Sequence, residues 1–119
     1  MTSLEIAKEA VKAIDSKLGA KINLIKVDSV SVLADYFVIA TGSGSTHVKA
    51  IADEVEYKLK EAGENASHIE GHRSDTWILL DYVDVIIHIF SDEAREYYDL
   101  DRMWADGEIV DISDLITEN

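Results

Sequence analysis

Cysteine and proline are both absent from this chain of 119 residues. Without cysteine there is no disulfide, no thiolate nucleophile and no thiolate metal ligand, so a zinc site would rest on histidine and carboxylate alone. Proline's absence excludes nothing by itself. No stretch approaches the roughly twenty consecutive apolar residues of a membrane span. The start of the chain, Met1 to Gly19, alternates charged with apolar residues and lacks the basic start and apolar centre of a signal peptide. A cytoplasmic protein is the expectation. Basic residues are also scarce: 11 Lys and Arg stand against 24 Asp and Glu, for a net charge of −13. The excess is uneven, because residues 92–119 hold ten acids and only Arg95 and Arg102 as bases. Such a field repels phosphate backbones, which disfavours DNA or RNA as a direct partner, and attracts basic protein surfaces. Solubility alone is a sufficient cause of acidity, so the charge narrows the partner without naming it.

What the chain does have is the length of one domain and the apolar content of an ordinary globular core. Leu4, Ala7, Val11, Ile14 and Leu18 recur at helical spacing, with Thr2 or Ser3 placed to cap the start and Gly19 to end the run. Residues 22–32 read as a half-exposed strand leading into a turn near Ser29. Tyr36 to Thr41 is almost wholly apolar and β-prone, as a strand covered on both faces should be. Gly42 breaks it, Ser45 or Thr46 is placed to cap a second helix, and Val48, Ile51, Ala52, Val55, Leu59 and Ala62 make its buried stripe. A third strand is expected over residues 67–71, then a hairpin of residues 76–80 and 85–90, then a last helix opening at Asp92. The order describes a single α/β (α+β) domain, helices packed on a mixed five-stranded sheet. Domain boundaries fall at 1–107 for the folded unit and 108–119 for an acidic tail that is an extra strand, a docked segment or disordered.

The chemistry-bearing residues concentrate in the hairpin. With Tyr82 and Val83 at its tip, Asp81 would face Asp84, Leu79 would face Ile86 and Trp77 would face His88. One face then holds Ile78, Leu80, Val85, Ile87 and Ile89, a helix-covered core. The other presents Trp77, Leu79, Asp81, Asp84, Ile86, His88 and Phe90. An aromatic anchor beside acids and aliphatics resembles a binding surface more than a core. A second cluster, Tyr97, Leu100 and Trp104 among acids, is either a helix roofing the sheet or a partly exposed contact. Three chemical readings compete with this one. Asp81 and Asp84 at close range would serve as an acid and base or collect magnesium, with the Gly42–Ser45 turn cradling phosphate ahead of a helix, as in a nucleotidyltransferase-like enzyme. That turn has no lysine or arginine of its own. His68, Glu70 and His72 share a strand face at metal-ligand spacing, but no fourth ligand is evident. His88 reads as a histidine satisfied inside the fold, and His47 as a surface residue.

Taken together, DYFVIATG (Asp35 to Gly42), HVKAIADEV (His47 to Val55), IEG (Ile69 to Gly71), WILLDYVDVIIHIF (Trp77 to Phe90) and REYYDLDRMW (Arg95 to Trp104) resemble the ribosomal silencing factor family, also called Iojap-like. The resemblance runs from the first helix to Trp104. It implies a nucleotidyltransferase-like α/β fold without that fold's catalytic carboxylates, and so no catalytic residue, cofactor or metal. It implies a translation repressor that binds the large ribosomal subunit through the protein L-fourteen and blocks subunit joining when nutrients are scarce. Matched by position, the partner-binding residues would be Trp77, Leu79, Asp81, Tyr82, Asp84 and His88, with Tyr98, Leu100 and Trp104 in a second block. A homodimer through the same face is the alternative use of that surface. The chain departs from the family pattern at Val83, where glycine is usual, and at Thr46, where arginine is common.

Overall fold

The computed structural model describes residues 1–71 and 76–117. Helix α1 (Ser3–Ser16) starts at Thr2, whose hydroxyl accepts from the Glu5 N–H at 3.1 Å while the Glu5 carboxylate accepts from the Thr2 N–H at 2.8 Å. This reciprocal box satisfies two backbone donors that the first turn leaves free. Ile6, Ala7, Ala10, Val11 and Ile14 are buried along one side. Leu18 belongs to no helix: the chain has already turned through it at φ 61°, and it is exposed.

Strand β1 (Ala20–Lys26) pairs antiparallel with β2 (Tyr36–Gly42), in which every residue but Tyr36 is buried. Helix α2 (Ser45–Glu61) follows, with Val48, Ile51, Ala52, Val55 and Leu59 buried. Its cap is Gly44, which makes no side-chain bond, rather than Ser45 or Thr46. Both of those already lie within the helix. Gly42 is required for close approach: a Cβ there would sit 2.9 Å from the Val48 backbone nitrogen. Strand β3 (His68–Glu70) is a short edge, β4 (Trp77–Asp81) and β5 (Val85–Ser91) form the hairpin, and α3 (Asp92–Tyr98) and α4 (Leu100–Met103) replace the single last helix. Asp99, at φ 48°, separates those two.

Among the described residues the sheet has six strands in the order β3-β4-β5-β2-β1-β6, not the five read from the sequence. The extra one, β6 (Glu108–Ile109), pairs with β1 and is only two exposed residues long, so it carries no periodicity to read. Beyond it Val110, Ile112, Leu115 and Ile116 pack against the core, and the Thr117 N–H donates to the Asp15 carboxylate at 2.9 Å. Among the described strands only β2 and β5 run parallel. That pairing needs a crossover, which α2, β3 and β4 supply.

Each sheet face has its own core. On one side α1 and α2 cover Leu24, Val38, Ala40, Ile78, Leu80, Val85, Ile87 and Ile89. On the other, Ile25, Val27, Phe37, Ile39 and Phe90 pack with Ala94 and Leu100 from the short helices. Each fully buried aliphatic side chain contributes about 1.5 to 3 kcal/mol. Having two roofs is why the central strand is apolar throughout instead of alternating.

Candidate functional site

The hairpin register differs from the expected one. Asp81 pairs with Ile86, Leu79 with His88 and Trp77 with Phe90, two residues further along β5 than anticipated. The tip is Val83–Asp84, closed by the Tyr82 N–H donating to the Val85 carbonyl at 2.9 Å. A shift of two preserves which side chains share a face. The aliphatic set still faces α2, and Trp77, Leu79, Asp81, Ile86, His88 and Phe90 still share the other face. The two acids are nevertheless not opposed. Asp81 Oδ1 accepts the Val83 N–H at 2.7 Å, while Asp84 sits exposed at the tip, its carbonyl accepting from the Asp35 and Tyr36 N–H groups at 2.8 and 3.1 Å.

The register also decides the fate of Tyr82. Opposite Val85, it points inward with Ile78 and Leu80 and is buried. Burial, with Glu56 nearby, pushes its phenol up to about 12. His88 and Leu100 are buried as well, at 4% and 9% exposure. These three therefore lie in the packing beneath the surface and are not on it. Trp77, Leu79, Asp81, Ile86 and Trp104 are half-buried, and Tyr98 is exposed. The face is thus divided: α3 and α4 roof its middle, and a strip along β4 stays open.

Aromatic contacts tie the roof to the strip. Trp104 meets Phe37 edge-on at 4.9 Å, Phe37 meets His88 at 5.2 Å, and Trp77 packs on Phe90 at 5.0 Å and on Tyr98 at 4.7 Å. Such pairs add about 0.5 to 1.5 kcal/mol each beyond the area they bury. The Trp77 indole N–H donates to His88 Nδ1 at 3.2 Å. That bond makes Nδ1 the acceptor and leaves the proton on Nε2, which has no partner among the described residues. Burial holds His88 neutral, lowering it to about 4.

A residue that sequence patterning missed holds the roof in place. Arg95 donates from Nε and Nη2 to the two oxygens of Asp101, both at 2.9 Å, and from Nη1 to the Lys21 carbonyl at 2.6 Å and the Thr41 hydroxyl at 3.1 Å. Asn23 donates to the same carboxylate at 2.7 Å. Burial works against the Asp101 charge, but the bonds from Arg95 and Asn23 outweigh it and hold the carboxyl below its ordinary value. The fork fixes α3 against α4 and both against β1 and β2. Only the six-residue spacing of Arg95 and Asp101 hinted at it, and that spacing is not a helical one.

Next to Trp77 lies a shallow groove of about 270 Å³, lined by Glu70, Gly71, Thr76, Trp77, Leu79 and Tyr98. Gly71, at φ 78°, sits so close to β4 that a Cβ would overlap the Trp77 carbonyl. Glu70 pairs across with Leu79 and His68 with Asp81, so β3 adds both side chains to the open strip. His68 Nε2 and Glu70 Oε1 lie 2.9 Å apart. His72, the third member of the metal reading, lies outside the described residues, and no group of three metal-ligating side chains occurs among those described.

The phosphate reading fails on distance. Gly42 ends β2 beside Ser91, whereas Asp84 is bonded to the start of β2 at Tyr36. Six residue steps of strand, roughly 20 Å, separate the Gly42–Ser45 turn from the Asp81 end of the hairpin. The turn itself opens on Asp92 and Glu93. His47 braces it, with Nδ1 accepting the Ser43 N–H at 2.8 Å and Nε2 lying 2.6 Å from the Lys17 carbonyl.

These features define a class: a small α/β domain with a mixed sheet, one face roofed by two long helices and the other partly roofed by a short aromatic hook. Within that class, the chain belongs to the ribosomal silencing factor family. The family model described as ribosomal silencing factor during starvation matches residues 1–119. The ribosomal silencing factor RsfS of Halalkalibacterium halodurans is 32% identical over 98% of this chain and 100% of its own length. That of Bacillus subtilis is 34% identical over 94% of this chain and 95% of its own. A crystal structure of a Chromobacterium violaceum protein superposes with a TM-score of 0.86 at 36% identity, covering 88% of each chain.

Proposed function

We propose that this protein represses translation by binding the large ribosomal subunit in the cytoplasm, through the protein L-fourteen, and sterically preventing the small subunit from joining. The observation that carries the reading is the open strip Trp77–Leu79–Asp81, left half-exposed beside Tyr98 while its neighbours His88 and Phe90 are sealed. Trp77, Leu79 and Tyr98 supply anchor area, with Trp104 at the margin. Asp81, Asp84 and Glu70 supply charge for lysine or arginine on the ribosomal protein. Tyr82, His88 and Leu100 act from beneath by fixing the strand and the indole. The nucleotidyltransferase-like alternative has its two halves at opposite ends of β2, which leaves the binding reading as the one the geometry supports.

Cosedimentation with isolated large subunits at low and high salt tests this, together with light scattering of subunit joining. Binding that weakens with salt, and a joining defect that scales with occupancy, are the expected results. A protein that leaves joining untouched at full occupancy of the large subunit would sink the steric mechanism. Mass in solution, with and without the ribosomal protein, separates this use of the face from a homodimer.

A further inference from the structure

Two chain reversals project from the same end of the sheet, beyond the strip. One is the β1–β2 connection, residues 27–35; the other is the hairpin tip at Val83–Asp84. They are fastened together. The Val27 N–H donates to the Asp35 carbonyl at 2.8 Å, and the Asp84 carbonyl accepts from the Asp35 N–H at 2.8 Å and the Tyr36 N–H at 3.1 Å. On this braced frame the tips carry aliphatic side chains turned to solvent: Val32 is 102% exposed, Leu33 71% and Val83 63%, with Val30 beside them at 42%. Val27 and Ala34, from the same connection, are buried. The loop thus has core to pack against, and these residues do not use it.

Val83 is the sharpest case. Its φ is 72°, and the Asp84 N–H donates to the Tyr82 carbonyl at 2.9 Å, closing a three-residue turn around a positive-φ centre. A β-branched residue is disfavoured there, and glycine or asparagine relaxes the strain. This chain carries a branched side chain there and buries little of it. Strain held at an exposed, well-braced position marks a surface shaped for contact.

The charge around the tips selects the occupant. Asp28, Asp35, Asp81 and Asp84 come from these two reversals and the strand end beside them, and the cation among them, Lys26, lies 4.0 Å from Asp28. Phosphate is repelled, and a second copy of the same end would set acid against acid. The tips are also continuous with the strip, since Asp81 ends β4 and its Oδ1 accepts the Val83 N–H.

We infer that Val32, Leu33 and Val83 form a second docking element for a cationic protein surface, one with aliphatic contact points set among lysines or arginines. This rests on the large-subunit reading above and extends its footprint from the aromatic strip to the end of the sheet. The test uses the full chain and isolated large subunits in the same cosedimentation assay, with melting temperatures measured in parallel. Val83→Gly relieves strain and removes the side chain, so it melts higher than the parent yet binds several-fold weaker. A merely structural Val83 would leave binding equal or better. The double replacement Val32→Ser with Leu33→Ser melts like the parent and binds about tenfold weaker. Should Val83→Gly melt lower, the serine pair alone decides. Parent-like binding by both tip variants, while Trp77→Ala loses binding, confines the footprint to the strip and overturns this inference while the proposed function stands. A parent that does not sediment with large subunits even at low salt overturns both.

Discussion

The histidine beneath the indole makes the stability of this domain depend on pH in a calculable way. In the folded chain His88 is held neutral, its pKa lowered from 6.5 to about 4 because burial disfavours the imidazolium. An unfolded chain binds that proton at the ordinary value. Between pH 6.5 and about 4 the unfolded state therefore holds more protons, and folding stability falls as the pH falls. The stability is fully present above pH 6.5 and is gone below about 4, a loss of about 3 kcal/mol. In urea melts, with a slope of roughly 1.5 kcal/mol per molar, that is a fall of about 2 M in the midpoint. The chain's net charge of −13 works in the opposite direction, since acid relieves its self-repulsion. A single melting series would mix the two effects. His88→Gln separates them, because glutamine offers the Trp77 N–H an acceptor and does not titrate. The difference in urea midpoint between the two proteins should change by about 1.5 M from pH 7 to pH 4.5, with tryptophan emission as the readout. Parallel curves across that window would show that His88 is either solvated or already charged in the fold. The reasoning from burial would then be wrong.

Three further outcomes follow from the same geometry. Trp77→Ala costs about 2 kcal/mol of large-subunit affinity in cosedimentation, about thirtyfold, and a loss that appears only when the fold itself melts would make Trp77 packing rather than contact. Arg95→Lys breaks the two-pronged bond to Asp101 and costs about 2 kcal/mol of stability by urea melt, with the α3–α4 amides losing hydrogen-exchange protection before those of β2. Val83→Gly raises stability by about 1 kcal/mol, the relief of backbone strain less the extra entropy of an unfolded glycine, and an unchanged melt would place the strain elsewhere.

The two long helices and most strands were readable because each leaves a local signature. A cap at Thr2 or Ser3, the α2 stripe from Val48 to Leu59 and the wholly apolar β2 all follow from spacing within one element, whereas the reciprocal bond of Glu5 to Thr2 appears only in the structure. The hairpin was readable in its faces but not in its register, since a shift of two conserves the alternation and only turn geometry distinguishes the alternatives. Glycine at position 83 would have signalled the tip, and valine hides it. The sixth strand is too short and too exposed to show a period. Arg95 was legible only as a base, because it and its partners Asp101, Lys21 and Thr41 come from four different elements.

Composition and periodicity, which are properties of neighbours along the chain, determined a single acidic α/β domain without thiol chemistry and concentrated its distinctive residues in Trp77 to Phe90 and Arg95 to Trp104. Which of those residues meet solvent was decided by tertiary structure alone. Trp77 and His88 share one face and one hydrogen bond, yet the histidine is sealed, while the indole, flanked by Tyr98 at the end of α3, stays half-exposed. Where a roof ends depends on how separate elements meet in space, and no pattern within either element encodes it.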